Sequence, residues 1–277
     1  MGNWDKAEIY FTKAVELDPR NPNHYQELAA IYGLTRDFDK TLVVIDRLLE
    51  LNPDASEQMR AAKAWIILGR DGTLDGYESW RDEVYPADPA EAEPYWWYDY
   101  YYMKRDWDAA LQIVNKISSN VAIQFEVIYW LRDYLIAKIY DNKGDRTRAL
   151  QHYDQARLHL EALREEDPND HRYRKALGQV YARIGEHEKA IREGKIAVQM
   201  RPLSEYGHQG AWSKWDLAYI YTWSGHVEEA IDLIEHLLTV PGFFTRHWLR
   251  LNPDWDPLRD HPRFQELIAA EDEPYLN

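Results

Sequence analysis

The sequence predicts an all-α protein made of repeated helix–turn–helix units. A short phrase recurs along the chain, and small residues and tyrosines recur in step with it. Gly and Pro number only 13 each among 277 residues, which is few for a loop-rich β protein, and hydrophobic residues make up 45%, enough for a packed core. The phrase occurs as GNWDKA, RDFDKT, RDWDAA, GDRTRA, GEHEKA and GHVEEA, with a degenerate copy DGTLDG, beginning at residues 2, 36, 105, 144, 185, 225 and 71.

The spacing of this phrase sets the length of one unit. The first three intervals between the last residues of successive copies are 34, 35 and 34 residues, and the later three are 39, 41 and 40. A single copy would be weak evidence, whereas seven copies in step predict a repeat array. The residues that close the copies are Ala7, Thr41, Gly76, Ala110, Ala149, Ala190 and Ala230.

Two further positions keep the same period and indicate two packed helices per unit. Small residues allow the helices to approach closely, and a tyrosine one turn away fills the space beside them. Acidic residues follow the start of the phrase, where the N-terminal dipole of a second helix favours negative charge. The small residues lie at Ala29, Ala64, Ala137, Gly178 and Ala218, and the tyrosines at Tyr32, Tyr101, Tyr140, Tyr181 and Tyr221.

This pattern resembles the tetratricopeptide repeat (TPR) family. The best matches are LGQVYARIGEHEKAIREGKIAVQMRP at 177–202 and LAYIYTWSGHVEEAIDLIEHLLTVP at 217–241. The resemblance implies a right-handed α-solenoid of about 6.5 repeats, in which the first helix of each unit lines a concave groove.

The repeat register divides the chain into a solenoid over 1–244 and a C-terminal cap over 245–277. Within the solenoid we predict a half repeat at 1–19 and full units at about 22–53, 57–89, 91–120, 121–168, 169–202 and 211–241.

Local patterns add detail to these units. We expect a long helix from about 121 to 142, one helix over 145–168, and an inserted loop at 203–210. The cap is expected to be an extended strip followed by a short helix from about Pro262, covering the last repeat. Its apolar anchors are Trp255, Leu258 and Phe264.

The first predicted helix lacks a partner, which suggests the C-terminal part of a longer protein. The alternative is a genuine start with a half-repeat cap. The phrase NPDWDPLRDHPRFQELI is also similar to the tail of TPR regions in bacterial multidomain regulators of the kinase, cyclase or winged-helix type. That resemblance implies that an output domain precedes this region.

Composition narrows the classes of partner and compartment. The 48 acidic and 33 basic residues give a formal charge of −15, which argues against binding to nucleic acid or to anionic membranes. Cysteine is absent, so disulfides and thiolate metal sites are excluded. The sequence has neither a signal peptide nor an apolar run of ~18 residues, and we expect a cytoplasmic protein.

The sequence carries no recognisable catalytic or metal-binding motif. His152 and His159 could share a helix face, but no carboxylate joins them at ligand spacing, so a surface role is favoured. We therefore predict that this region is not an enzyme and holds neither cofactor nor metal.

The remaining candidate site is the groove implied by the resemblance. Its candidate contacts are rich in Tyr and Trp, which dominate binding hot spots. They either face a partner or pack between repeats, and we expect several to be exposed. The basic residues lack the asparagines of chaperone-binding clamps, which argues against chaperone tails. The candidates are Tyr95, Asp99, Tyr102, Tyr134, Lys138, Arg172, Lys175, Gln179, Trp212, Trp215 and Tyr219.

The most aromatic stretch, YWWYDYYY at 95–102, is divided by the repeat register. Tyr95, Asp99 and Tyr102 are assigned to the groove, and the other five residues to packing. Tyr98 stands where the family has a small residue, so this unit is expected to be splayed, with a pocket beside Asp99.

These patterns favour a protein- or peptide-binding scaffold, the interaction or regulatory arm of a larger bacterial signalling protein. Two alternatives remain open. The aromatic groove could bind a sugar or metabolite, as in a small-ligand sensor, and the first repeat could dock on another copy to form a homo-oligomer.

Overall fold

The computed structural model describes residues 4–52, 57–84, 94–124, 127–272 and 275, and within them the chain is almost entirely helical. The predicted boundary between 89 and 91 and the start of the predicted half repeat at 1–3 lie outside these residues. The elements are α1 (Trp4–Leu17), α2 (Pro22–Leu34), α3 (Phe38–Leu51), α4 (Glu57–Asp71), α5 (Asp75–Val84), α6 (Pro94–Met103), α7 (Trp107–Lys116), β1 (Val121–Gln124), β2 (Tyr129–Leu131), α8 (Arg132–Asn142), α9 (Arg146–Glu166), α10 (His171–Ile184), α11 (His187–Met200), α12 (Leu203–Tyr206), α13 (His208–Trp223), α14 (Val227–Leu238), α15 (Arg246–Leu251), a 3-10 helix (Pro253–Leu258) and α16 (Pro262–Ala269).

The predicted all-α fold of helix–turn–helix units is confirmed. Among the described elements, α1 is followed by pairs of helices joined by short turns, namely α2–α3, α4–α5, α6–α7, α8–α9, α10–α11 and α13–α14. The described residues group into two compact units. One lies within 1–88, 237–251 and 266–277, and the other within 89–236 and 252–265.

The recurring phrase forms the turn between the two helices of a pair. Its first residue adopts the left-handed conformation, with φ of +80° at Gly144, +95° at Gly185 and +78° at Gly225. Glycine is preferred there because it has no Cβ to clash with the backbone. Arg36 and Arg105 take the same conformation with φ of +57° and +59°, at a cost of about 1–2 kcal/mol each.

In three copies of the phrase, the second residue is an aspartate that caps the following helix. The side chains of Asp37, Asp106 and Asp145 accept hydrogen bonds from the backbone N–H three residues on, at 3.3, 3.1 and 3.1 Å. Such a cap satisfies one of the free N–H groups of the first helical turn and places a negative charge at the positive end of the helix dipole. The acidic residues after the phrase start are therefore both caps and dipole partners.

The small residues of the repeat lie where the paired helices meet. Ala110, Ala149, Ala190 and Ala230 are completely buried. At Gly76 an added Cβ would stand 2.9 Å from the Cα of Ala64, so glycine is required by the close approach of α5 to α4.

Three local predictions are corrected by the structure. The predicted long helix over 121–142 is instead an antiparallel pair of strands, β1 and β2, followed by α8. Tyr129, Trp130 and Ile123 are residues that favour strands, which explains the difference. The predicted loop at 203–210 contains the one-turn helix α12 and the first turn of α13, and the predicted extended strip of the cap is helical in α15 and in the 3-10 helix.

Two other local predictions are confirmed. The single helix predicted over 145–168 is observed as α9, with 21 residues. The short C-terminal helix begins at Pro262, as predicted.

In the unit that contains the N-terminus, residues 239–245 pack over α2 and α4. Phe243 contacts Gly33 so closely that a Cβ there would lie 2.5 Å from the Phe243 ring, and it meets Trp65 edge to face at 5.4 Å. The guanidinium of Arg36 donates to the backbone oxygens of Leu238 and Val240 at 2.9 and 3.1 Å. This unit is therefore completed by a piece of chain from beyond α14.

Helix α1 leaves part of its apolar surface uncovered. Its side chains Ile9, Tyr10 and Leu17 are 63%, 69% and 78% exposed. Among the helices of the described residues, none combines the length and the apolar character needed to traverse a lipid bilayer.

Candidate functional site

The candidate site lies in the second unit, on the side of α6, α8, α10 and α13 that carries the predicted groove residues; we call it the first-helix surface. Residues 252–258 of the same chain lie on it. The carboxylate of Asp254 accepts a hydrogen bond from the Tyr102 hydroxyl at 2.9 Å and from the Lys138 ammonium at 2.8 Å. Each carboxylate oxygen thus has its own donor, which comes from a different helix.

Lys138 is enclosed by aromatic rings as well as by its ion pair. Its Nζ lies 4.5 Å from the centre of the Tyr102 ring and 5.6–5.9 Å from those of Trp130, Tyr134 and Tyr219. The residue is only 2% exposed. Burial lowers the pKa of Lys138, and the charge of Asp254 opposes this shift. The rings and the carboxylate together stabilise an ammonium that has lost its water.

The residue after Asp254 supplies the apolar part of the contact. Trp255 is 0% exposed and meets the rings of Trp215 and Tyr219 edge to face at 4.8 and 6.4 Å. Its indole N–H has no hydrogen-bond partner among the described residues. Edge-to-face pairs of this kind stabilise by about 0.5–1.5 kcal/mol beyond the burial of their area.

The main chain of the segment is also held. The indole N–H of Trp223 donates to the backbone oxygen of Asp254 at 3.0 Å, and the side chain of Asn252 accepts from the Asp254 N–H at 2.9 Å. Asn252 thereby caps the 3-10 helix in the manner of an Asx turn. The first-helix surface therefore contacts a carboxylate, an indole and a peptide carbonyl of one short segment.

A further ion pair ties the segment at its exposed edge. Arg105 makes a two-pronged contact with the carboxylate of Asp256 at 2.6 and 2.7 Å, and Arg259 donates to the same carboxylate. The hydrogen bond and charge of Arg105 help to lower the pKa of Asp256 against the effect of its burial. Because both side chains of the Arg105–Asp256 pair are substantially exposed, this contact is worth at most about 1 kcal/mol.

A second buried ion pair lies between α10 and α13. Lys175 meets the carboxylate of Asp216 at 2.7 Å, and the Gln179 side chain donates to the same carboxylate at 2.7 Å. Burial raises the pKa of Asp216, and the charge of Lys175 opposes that shift. Lys175 also donates to the backbone oxygen of Val127, so its charge is satisfied within the chain.

Arg183 joins α10 to its neighbours. Its guanidinium lies 3.5 Å from the centre of the Trp223 ring, donates to Asp141 at 2.7 Å and reaches the hydroxyl of Tyr219 at 3.4 Å. The same hydroxyl accepts from Tyr134 at 3.2 Å. These links hold the aromatic rings around Lys138 in fixed positions.

The expectation that several predicted groove residues are exposed is wrong for most of them. Residues 252–258 cover part of the set, and side chains of the neighbouring helices cover the rest. Tyr95, Arg172 and Trp212 are partly exposed, and Arg172 forms an ion pair with Asp170 beside it. The buried members are Asp99, Tyr102, Tyr134, Lys138, Lys175, Gln179, Trp215 and Tyr219.

The aromatic stretch at 95–102 is largely buried, including Tyr98 at the misfit position. Tyr98 stacks on Tyr102 with ring centres 5.3 Å apart, and Trp97 meets Tyr100 edge to face at 5.9 Å. Stacking along α6 thus accommodates the bulky residue. The predicted pocket beside Asp99 stays a prediction.

Sequence reasoning missed the residues that complete the site: Asp254, Trp223, Arg183 and Asn142. Trp255 was identified only as an apolar anchor expected to cover the last repeat. The cap does contact the last helix pair through Arg263 of α16, which donates to Glu228 and Glu235 of α14 at 2.6 and 2.8 Å. One signal could have indicated that an anion is present, because a lysine on a surface so rich in aromatic residues requires one nearby.

Comparison with known proteins identifies two segments as repeats of a known type. Residues 142–205 and 1–21 each match a family model described as tetratricopeptide repeat. The first of these covers α9, α10 and α11, and of these three helices α10 carries part of the first-helix surface.

Several solved structures are similar to the chain at low sequence identity. Human IFIT1, in a dimer with m7Gppp-AAAA, superposes with a TM-score of 0.53 at 18% identity, over 85% of this chain and 55% of that one. Yeast Tom70 gives a TM-score of 0.45 at 13% identity, over 96% of this chain and 53% of that one. The chain thus spans about half the length of these two proteins. YrrB, a TPR protein with an unusual peptide-binding site, gives 0.29 at 16% identity, over 94% of this chain and 98% of that one.

The likeness to IFIT1, at 18% identity, bears on the fold alone. The ligand in the IFIT1 structure is an RNA-type molecule, so the predicted absence of nucleic-acid binding in this chain stays a prediction. Together, the family matches and the repeated helix pairs support the assignment of the chain to the tetratricopeptide repeat family.

Proposed function

We propose that this chain is a protein- or peptide-binding TPR module whose first-helix surface holds a short polypeptide segment. The observation that carries the proposal is the seating of residues 252–258, in which Asp254, Trp255 and a backbone carbonyl are each bound by separate side chains. TPR proteins serve in general as protein-interaction scaffolds, and this surface has the aromatic and cationic composition of a binding hot spot.

The contacts of residues 252–258 select particular chemical groups as well as fill space. Lys138 and Asp254 are 116 residues apart in the chain, so their pairing does not arise from local sequence. A buried ion pair is less stabilising than apolar packing of the same volume, and it is useful mainly because it specifies which group fits. A surface that specifies one carboxylate and one indole is suited to select a partner segment.

The proposal extends to the role of the module in a larger protein. We propose that it is the interaction or regulatory arm of a bacterial signalling protein, supported by the similarity of NPDWDPLRDHPRFQELI to the tails of such regulators. Sequencing the reading frame upstream of residue 1 tests this part. A kinase, cyclase or DNA-binding domain is expected, and an unrelated upstream gene would contradict it.

A trans-binding experiment tests the binding function. The full chain with Trp255→Ala, which weakens the resident segment, is titrated against a fluorescein-labelled peptide with the sequence of residues 250–260. We expect saturable binding by fluorescence anisotropy, and much weaker binding to the unaltered chain, whose surface is already occupied. A peptide with the same composition in scrambled order is the control. A folded Trp255→Ala chain that binds neither this peptide nor any member of a random peptide array would refute the proposal.

Self-association is a second candidate, favoured by one observation. The exposed side chains Ile9, Tyr10 and Leu17 give α1 an apolar face that a second copy could cover. Light scattering over a range of concentrations tests it, with Ile9→Glu as the variant and Lys13→Gln, which changes the net charge by the same amount, as the control. A monomer at the highest concentration would reject this candidate.

A further inference from the structure

We infer that the partner of the first-helix surface is a polypeptide segment in which an aspartate is followed directly by an aromatic residue at the start of a single helical turn. Such a segment competes with residues 253–258 for the same contacts. The inference rests on the proposed peptide-binding function and adds the chemistry of the partner.

The requirement for aspartate follows from the two donors. The Lys138 ammonium and the Tyr102 hydroxyl each bind one oxygen of the same carboxylate, and Asn142 donates in turn to the Tyr102 hydroxyl at 3.0 Å. The hydroxyl proton is therefore directed at the carboxylate. An asparagine would offer one oxygen and turn an NH2 group towards one of these two donors, so it is selected against.

A neutral partner is disfavoured for a second reason. Lys138 and the surrounding rings of Tyr102, Trp130, Tyr134 and Tyr219 are buried or half-buried, so water does not replace a lost anion easily. Asp99 is the other carboxylate whose charge acts on Lys138, but the larger effect comes from Asp254. Any segment that displaces Asp254 must bring its own negative charge.

The requirement at the next position is for a ring, and the indole N–H contributes nothing to it. Trp255 contacts Trp215 and Tyr219 through its ring edges and faces, whereas its Nε1 has no hydrogen-bond partner among the described residues. A phenylalanine would lose some buried area but no hydrogen bond. The surface therefore accepts Trp or Phe and rejects alanine.

The surface binds the segment through one described backbone group, the carbonyl oxygen of Asp254. The other backbone groups must therefore be satisfied within the segment, as they are in a turn. The indole N–H of Trp223 donates to the backbone oxygen of Asp254, while the backbone N–H of Asp254 donates to the side chain of Asn252 within the segment itself. Pro253 fixes φ at the first position of the turn. A partner with Asn or Ser before Pro-Asp is thus pre-organised for the site, and a fully extended strand is not.

The test uses the full chain with Trp255→Ala and the labelled peptide Asn-Pro-Asp-Trp-Asp-Pro-Leu-Arg, blocked at both ends. Three variant peptides change the aspartate before the tryptophan to Asn, the tryptophan to Phe, or the tryptophan to Ala. We expect the Asn and Ala peptides to bind about 10- to 100-fold more weakly, since each loses a charge-assisted hydrogen bond or a buried ring. The Phe peptide is expected to stay within about tenfold of the parent.

A change in the protein supplies the matched control. In a chain that carries Lys138→Met beside Trp255→Ala, the ammonium is absent, so the preference for Asp over Asn is expected to disappear or reverse. Arg105→Gln, which removes only the exposed contact to Asp256, is expected to preserve the preference. Equal affinity for the Asp and Asn peptides in the Trp255→Ala chain, or for the Trp and Ala peptides, overturns the inference and leaves the binding function standing.

A second measurement covers the case in which Trp255→Ala does not fold. Hydrogen exchange of the amides at 252–258 is followed in the unaltered chain with excess parent peptide or excess Asn peptide. The parent peptide is expected to accelerate exchange because it displaces the resident segment, and the Asn peptide is not. Equal acceleration by both peptides overturns the inference. No acceleration by either peptide, or by a random peptide mixture, counts against the proposed function itself.

Discussion

Arg36 and Arg105 occupy the same left-handed position in two different repeats, where the later repeats have glycine, and each binds a piece of the C-terminal part of the chain. Arg36 is buried and donates to two backbone carbonyls. Arg105 is substantially exposed and pairs with the carboxylate of Asp256. Both turns therefore keep a backbone strain that glycine would avoid. The contacts that offset this strain are buried hydrogen bonds at Arg36 and an exposed ion pair at Arg105.

The same substitution, arginine to glycine, is therefore expected to have different consequences in the two turns. Buried hydrogen bonds from a charged donor are lost at a high cost, because the acceptors are left without partners. An exposed ion pair is lost at little cost, because water replaces it.

The largest effect is expected when the buried anion of the second unit is removed. Asp254→Ala leaves the Lys138 ammonium unpaired and should lower the free energy of unfolding by about 3–5 kcal/mol. Guanidinium denaturation followed by far-UV circular dichroism measures it. The double variant with Lys138→Met and Asp254→Leu should regain most of the loss, and a loss below ~1 kcal/mol for Asp254→Ala would contradict the buried pair.

Arg36→Gly is expected to destabilise the first unit by about 2 kcal/mol. Two buried carbonyls, those of Leu238 and Val240, lose their donor, and the relief of backbone strain recovers only part of the cost. The denaturation midpoint checks this, with Arg36→Lys as a variant that keeps the charge but not both hydrogen bonds. An increase in stability would show that strain dominates at this turn.

Gly185→Ala isolates the strain term by itself. An added Cβ would meet nothing within 4 Å, so the substitution changes only the preference of the backbone at φ +95°. We expect a loss of about 1–2 kcal/mol in the free energy of unfolding. Thermal denaturation beside Ala182→Gly, which changes a helical position of the same turn, provides the comparison, and a neutral result would remove strain from the account of both arginines.

Arg105→Gly should change stability least, within about 0.5 kcal/mol of zero. The exposed pair with Asp256 contributes at most about 1 kcal/mol, and glycine relieves a similar amount of strain. Raising the salt concentration should make the variant relatively more stable than the unaltered chain, because only the unaltered chain has an ion pair to screen. A loss as large as that of Arg36→Gly would mean that the two turns are equivalent.

Most of the repeat architecture could be predicted from the sequence because its causes are local. The left-handed residue and the capping aspartate lie side by side in the phrase, and the buried alanines recur at a fixed distance from them. The β1–β2 pair escaped prediction because the helical register was extended across residues that favour strands. The repeat register therefore identified the units that follow it and misjudged the insertion between them.

The candidate residues lie on the first helices of their pairs, α6, α8, α10 and α13, as the family register implies, but the burial of most of them was not predicted. The positions of Lys138 and Trp215 followed from the family register, whereas the seating of Asp254 and Trp255 against them depends on a contact across many residues. No periodic pattern encodes such a pairing. The available signal was chemical, since a lysine among aromatic residues needs an anion, and the sequence contains 48 candidates for that role.

The separation of 116 residues between Lys138 and Asp254 also has a consequence for synthesis on the ribosome. At about 5–20 residues per second, Lys138 is made roughly 6–23 s before the Asp254 carboxylate that neutralises it. During this interval Lys138 and the rings of Tyr102, Trp130 and Tyr134 have neither the carboxylate of Asp254 nor the indole of Trp255 to cover them. The nascent second unit therefore exposes an aromatic, cationic surface until residues 252–258 have been made, and a chaperone or a bound partner would have its best access then.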